Sequence, residues 1–175
     1  MNNLERYFVL DVLNEYNETK IRNKEELIKT CREIIKKNDT KFKYSIVIDN
    51  DYFLDLTLKI LWVFAKYYKK DWWLIAEEAS FYAPLNKNSF ILNFVKYGRH
   101  YNINQVYITR NTAEISRQIT SQADVIVSFN QTEPRHLDVL KQYGFDISKV
   151  AKLKKFEYIT VGDKNILKNL KLKED

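Results

Sequence analysis

Glycine, proline, cysteine and methionine are all scarce in this 175-residue chain, which has three Gly, two Pro, one Cys and one Met. So little glycine and proline excludes a fibrous repeat and argues against disorder. A lone Cys31 excludes a disulfide framework and a cysteine zinc site, and fits a reduced compartment. His100 and His136 are too far apart for paired metal-ligand spacing. None of the glycines (Gly98, Gly144, Gly162) stands in G-x-x-x-x-G-K-[ST], the loop that cradles phosphates in many nucleotide-binding domains. The N-terminus lacks the charged start and long apolar core of a signal peptide. The most apolar stretch, 54–68, is broken by Asp55 and Lys59 and is too short to span a bilayer. A cytosolic protein without a membrane partner is expected.

What is present is a packed globule. Apolar residues make up 45% and aromatics 14%, enough for one domain over 1–175 with a sizeable core. Net charge is +6, with the excess in a basic C-terminal segment, 148–175. Within it Lys152, Lys154 and Lys155 are candidate phosphate contacts for nucleic acid, although such a run also reads as a solvated tail.

Apolar strands and amphipathic helices alternate along the chain. Strands are expected at 7–13, 42–49, 72–77, 105–109, 124–129 and 156–161. Helices are expected at 24–37, 51–68, 88–97, 113–122, from about 134 to Gly144, and at 166–172. Asn23 and Glu26 have capping-box spacing ahead of the first helix, Thr132 is expected to cap the fifth, and Gly144 suits its C-terminal end. Short strands without strict polar alternation, separated by helices, predict an α/β fold: a mainly parallel sheet with helices on both faces. Strands 72–77 and 105–109 are expected to be adjacent and central.

In such sheets ligands bind at the carboxyl ends of the strands. Several polar residues fall there. Glu77-Glu78 ends an apolar run and suits metal positioning and water activation, though acids also end strands merely to face water. Thr109-Arg110 ends the next run; the threonine can hold a polar ligand and the arginine a phosphate. Arg99 sits between a predicted helix and strand, where an arginine can serve a neighbouring subunit or form a surface ion pair. Asp11 and Glu15 can join Glu77 and Glu78 as a carboxylate cluster for two-metal chemistry if the geometry allows.

Taken in order, these segments resemble the HerA/FtsK-like branch of P-loop ATPases. That branch includes DNA-pumping and genome-packaging motors and zonular-occludens-toxin-like phage proteins. Phe8-Val9-Leu10-Asp11 with Glu15-Tyr16 looks like the strand after the phosphate-loop helix. Leu74 to Ser80 is similar to the Walker B run, and Gly98-Arg99-His100 with Val106 to Arg110 resembles the Gly-Arg-His and Thr-Gln segments. Ile119 to Phe129 and Leu137 to Leu140 match the usual tail. There are departures: Glu77 replaces the usual Asp, Arg110 replaces Gln, and the phosphate loop has no counterpart in these residues.

The resemblance implies a P-loop NTPase-like fold truncated at the N-terminus. It also implies a setting in DNA packaging or translocation in a phage or mobile element, with DNA, an intact ATPase subunit or further copies of the chain as partners. It makes Glu77, Glu78, Arg99, Thr109 and Arg110 vestigial or trans-acting catalytic residues. Glu77 becomes the Mg²⁺ position, and Mg-ATP is expected only if a phosphate loop comes from elsewhere. A Walker A-less structural or regulatory component is the leading expectation. The alternatives are an ATPase completed by another chain or by upstream sequence, a carboxylate-metal nuclease, and a non-catalytic nucleic-acid-binding module. An unpaired sheet edge is expected to be covered either by 156–161 or by another chain.

Overall fold

The computed structural model describes residues 4–85 and 89–163. The backbone divides after Thr109 into two compact units. The first contains β1 (Arg6–Asp11), β2 (Thr19–Ile21), α1 (Lys24–Lys37), β3 (Phe42–Val47), α2 (Asp51–Tyr67) and β4 (Trp72–Ala76). It continues through α3 (Ala79–Tyr82), α4 (Ile91–Tyr97), a 3₁₀ turn (Gly98–Tyr101) and β5 (Ile103–Tyr107). Its five strands pair in the order β2-β3-β1-β4-β5, every pair parallel. The expected mainly parallel α/β sheet is therefore present. β4 and β5 are neighbours, as expected, but they are not both central. β1 holds the middle between β3 and β4, and β5 is the edge among the described strands.

Aromatic packing secures one face of this sheet to α2. Phe8 of β1 lies 5.8 Å from Trp72 of β4, ring centre to ring centre, and 5.5 Å from Phe64 of α2. Phe42 of β3 meets Phe64 at 6.0 Å. Most of these contacts are edge-to-face, the arrangement favoured by the ring quadrupoles. α1 packs beside α2 and buries Leu27, Cys31 and Ile34 at helical spacing. Its start is fixed as expected: Asn23 Oδ1 accepts the Glu26 N–H at 2.9 Å. Cys31 is buried among these residues, which pushes its thiol pKa up to about 12 and leaves it unreactive. Farther along α2, Trp62 meets Phe94 of α4 at 5.1 Å and Tyr101 at 5.0 Å.

The second unit contains α5 (Arg117–Ser121), β6 (Val125–Ser128), α6 (Pro134–Gln142), α7 (Ile147–Val150) and β7 (Ile159–Gly162). β6 and β7 form a separate antiparallel pair, so the strand expected at 156–161 does not cover an edge of the five-stranded sheet. Gly162 fixes the end of this pair. Its φ is +113°, and a Cβ there would lie 2.1 Å from the Asp124 carbonyl oxygen, so only glycine fits. Leu140, Phe145 and Val150 form the core of the unit, with Ile126, Ile159 and Val161 against them. Glu133, rather than Thr132, caps α6: its carboxylate accepts the His136 N–H at 2.9 Å, with Pro134 in the first turn. The helix expected at 166–172 lies outside the described residues. No helix among the described residues is long and apolar enough to cross a membrane.

Gly98 gives a test of this packing. Its backbone is helical, so alanine would ordinarily gain about 1 kcal/mol of helix propensity. A Cβ there, however, would lie 2.5 Å from Gln105 Nε2. That nitrogen donates to the Phe94 carbonyl at 2.8 Å, and Gln105 Oε1 accepts from Tyr107 at 2.6 Å, so Gln105 cannot yield freely. Gly98→Ala is expected to destabilise the protein by about 1 kcal/mol, because displacing Gln105 breaks its two hydrogen bonds at about 1 kcal/mol each and propensity returns only about 1 kcal/mol. In a Gln105→Ala background the same change should become stabilising. Urea unfolding of the four proteins in the cycle measures both signs.

Candidate active site

Asp11 ends β1 fully buried, and a carboxylate without water must be given donors. It receives them from three directions. Ser45 of β3 donates at 2.7 Å, and the backbone N–H groups of Glu15 and Tyr16 donate at 3.0 and 3.2 Å. Lys20 of β2 approaches at 3.4 Å. Burial opposes ionisation, but these donors outweigh it and hold the Asp11 carboxyl below the usual carboxylate range. Its ionised form therefore adds stability above the ordinary aspartate pKa, and that stability is lost as pH falls through the lowered value. Asp11 is thereby committed to structure. It folds the 12–18 loop back over the end of β1 and brings Tyr16 to Glu77.

Glu77 and Glu78 follow β4 directly. Glu77 N–H donates to the Leu10 carbonyl at 3.3 Å, which ties it to the end of β1. On the other side the Ile108 N–H donates to the Ala76 carbonyl at 2.9 Å, and the Ala79 N–H to the Ile108 carbonyl at 2.7 Å. The acid pair is thus held between the ends of β1 and β5. Burial raises the Glu77 pKa, as do the neighbouring charges of Glu15, Asp11 and Glu78. A hydrogen bond from the Tyr16 hydroxyl opposes the rise. Glu77 Oε2 is buried with no hydrogen-bond partner among the described residues. Tyr16 carries the counterpart of this crowding: burial and the Glu77 and Asp11 charges push its pKa up to about 12. Tyr82, on α3, is buried with an unpartnered hydroxyl, and burial together with Asp11, Glu77 and Glu78 raises its pKa strongly. Tyr82 was not singled out in the sequence, yet its place four residues after Glu78, one helical turn on, was a readable signal.

Glu78 is in the left-handed region, with φ +52° and ψ +50°. A side chain with a Cβ costs about 1–2 kcal/mol there, and such strain concentrates at functional sites.

The other candidates divide by location. Thr109 follows Ile108 and is half-buried beside the acid pair, and Arg110 opens the second unit as an exposed residue. Arg99 and His100 are exposed in the 3₁₀ turn that leads into β5. Because β4 and β5 run parallel with Trp72 opposite Ile103, that turn lies at the amino end of the sheet. Five residues of strand put it about 16 Å from Glu77. Arg99 and the acid pair therefore do not meet within one chain, and an Arg99 ion pair to Glu77 or Glu78 is ruled out. Lys152, Lys154 and Lys155 lie in the second unit, exposed after α7. Among the described residues no group of three or more His, Cys, Asp or Glu side chains converges as a metal site. Asp11 is already taken up by its donors, so the two-metal cluster of Asp11, Glu15, Glu77 and Glu78 finds no support.

Backbone strain at Glu78 separates the needs of the fold from those of the site. Glu78→Gly is expected to be more stable than Glu78→Ala by about 1 kcal/mol, because only glycine enters the left-handed region freely. Equal stabilities in urea unfolding would remove the strain argument.

No family model matches this chain, and no curated protein matches it. Solved structures do. The genome packaging NTPase B204 from Sulfolobus turreted icosahedral virus 2, in complex with AMPPCP, superposes with a TM-score of 0.69 at 20% identity, over 91% of this chain and 77% of that one. Its sulfate complex gives 0.71 at 18% identity, over 94% and 78%. B204, the DNA-packaging ATPase from Sulfolobus Turreted Icosahedral Virus, gives 0.67 at 20% identity, over 91% and 78%. At these identities the likeness is one of fold: the chain has the P-loop NTPase-like α/β architecture of these packaging enzymes.

Proposed function

We propose that this chain is a component of a DNA-packaging or DNA-translocating ATPase assembly of the HerA/FtsK-like type. In this reading it carries the acidic end of a nucleotide site and does not turn over nucleotide alone. The observation that carries the reading is the Glu77–Glu78 pair at the carboxyl end of β4, with Glu78 held in a strained backbone. It occurs in a fold shared with packaging NTPases solved with AMPPCP and ATP-gammaS.

The residues present fit part of a Mg-nucleotide site. Glu77, with an orphaned buried oxygen and a raised pKa, would gain from a cation beside it. Mg²⁺ commonly takes only one or two carboxylates from protein and the rest from phosphates and water, so a single acid here is adequate. The bound ion would neutralise charge on the phosphates. Glu78 is then the group to orient an attacking water, and Thr109 the group to meet the terminal phosphate. Arg99, at the amino end of the sheet, can serve only a site on another subunit.

A second reading, in which another segment or chain completes the site, is favoured by one observation. The outer edge of β5 has no strand partner among the described residues, and an open parallel edge accepts a strand. Both readings agree on the isolated chain. Losing even three charge-assisted hydrogen bonds of about 1.5 kcal/mol each moves a micromolar site beyond millimolar. Calorimetry with Mg-ATP is expected to show no binding in the micromolar range and no turnover. Micromolar binding, with hydrolysis abolished by Glu78→Gln, would instead establish a self-sufficient ATPase.

A further inference from the structure

Residues 152–157 of the second unit carry three exposed lysines, Lys152, Lys154 and Lys155, together with Phe156, which is 81% exposed. Phe156 also has a φ of +72°. For a bulky side chain that backbone conformation is a genuine outlier. The turn that imposes it is closed twice. The Glu157 N–H donates to the Lys154 carbonyl at 3.1 Å, and the Lys154 N–H donates to Glu157 Oε2 at 2.7 Å. Phe156 is the third residue of this four-residue turn, where a positive φ ordinarily calls for glycine or asparagine. The base of the loop is fixed as well: Asn130 Nδ2 donates to the Ala151 and Leu153 carbonyls at 3.2 and 2.9 Å.

Such an arrangement gives the fold nothing. An exposed ring gains no burial, and glycine would relieve the backbone, so the strain points to what the ring meets outside the chain. Charge narrows the partner. The Lys155 ammonium sits 5.1 Å from the Phe156 ring centre, and the loop's one acid, Glu157, has an oxygen engaged by the backbone. A second exposed ring, Phe129, stands just past β6 and meets Tyr158 edge-on at 6.1 Å. Ammonium groups beside open aromatic faces match a chain that alternates phosphates with unpaired bases. A duplex keeps its base faces stacked and offers nothing for Phe156 to cover.

We propose that the 152–157 loop, with Phe129 beside it, is a contact surface for single-stranded nucleic acid. A base stacks on Phe156 and the lysines meet the flanking phosphates. The choice of nucleic acid among polyanions rests on the packaging reading above, whereas the single-stranded form rests on Phe156 itself.

The test uses the full chain and fluorescence anisotropy, with a labelled oligothymidine of about 12 nucleotides and a duplex of the same length. Phe156→Gly is expected to raise the melting temperature while weakening single-strand binding at least about fivefold. Phe156→Trp should restore binding. Replacing the three lysines by alanine should flatten the salt dependence by about 0.7 in log–log slope for each phosphate that is no longer neutralised. Unchanged single-strand binding in Phe156→Gly overturns the proposal, as does a lower melting temperature, which would make Phe156 a packing residue. If the duplex binds and the single strand does not, the packaging reading stands and this surface falls. If neither nucleic acid binds, both fall.

Discussion

Asp11 is a carboxylate with no access to water, at the end of the central strand, and much of the first unit follows from meeting its needs. Ser45 brings in β3, Lys20 brings in β2, and two consecutive backbone N–H groups bend the 12–18 loop over the strand end. Leaving one such donor unmade inside a protein costs about 1–3 kcal/mol, more for a charged group, so the loop has little freedom to go elsewhere. Its path carries Tyr16 to Glu77. The same requirement that orders β2, β3 and β1 therefore also builds one wall of the candidate site.

The other walls come from the parallel sheet. Parallel pairing places the carboxyl ends of β1, β4 and β5 side by side, and the backbone bonds of Glu77, Ala79 and Ile108 lock the acid pair among them. The cost is visible in the residues themselves. Glu77 ionises among Asp11, Glu15 and Glu78, and Glu78 holds a left-handed backbone. A chain selected for stability alone would relax both. Their coexistence with a well-packed aromatic face, where Phe8, Phe64 and Trp72 interlock, separates a stable scaffold from a strained end.

Much of this was readable from residues alone. The Asn23–Glu26 spacing fixed the start of α1, and the apolar runs around Phe8, Ile46 and Leu74 gave the strands and their parallel pairing. The acid pair and Thr109 fell at strand ends for the same reason. β2 was not readable, because three residues with one apolar side chain have no period; only pairing with β3 makes them a strand. Nor was the strand order. Apolar content does not distinguish a middle strand from an edge strand whose outward groups are half-buried, which is how β5 came to be expected at the centre. Arg99 could be placed between a helix and a strand, but only strand direction and register show that it lies at the opposite end of the sheet from the acids. The strain at Glu78 depends on backbone angles that no spacing rule contains.

The crowding of acids at the carboxyl end of β4 is the feature on which the functional reading stands, and the Glu77 carboxyl reports it directly. A pH titration of the Glu77 side-chain carboxyl carbon by NMR measures its midpoint in the intact protein. A crowded, partly desolvated Glu77 requires a midpoint above that of an ordinary glutamate, falling when Glu15→Gln removes one neighbouring charge. A midpoint at or below the ordinary value, unmoved by Glu15→Gln, would contradict it.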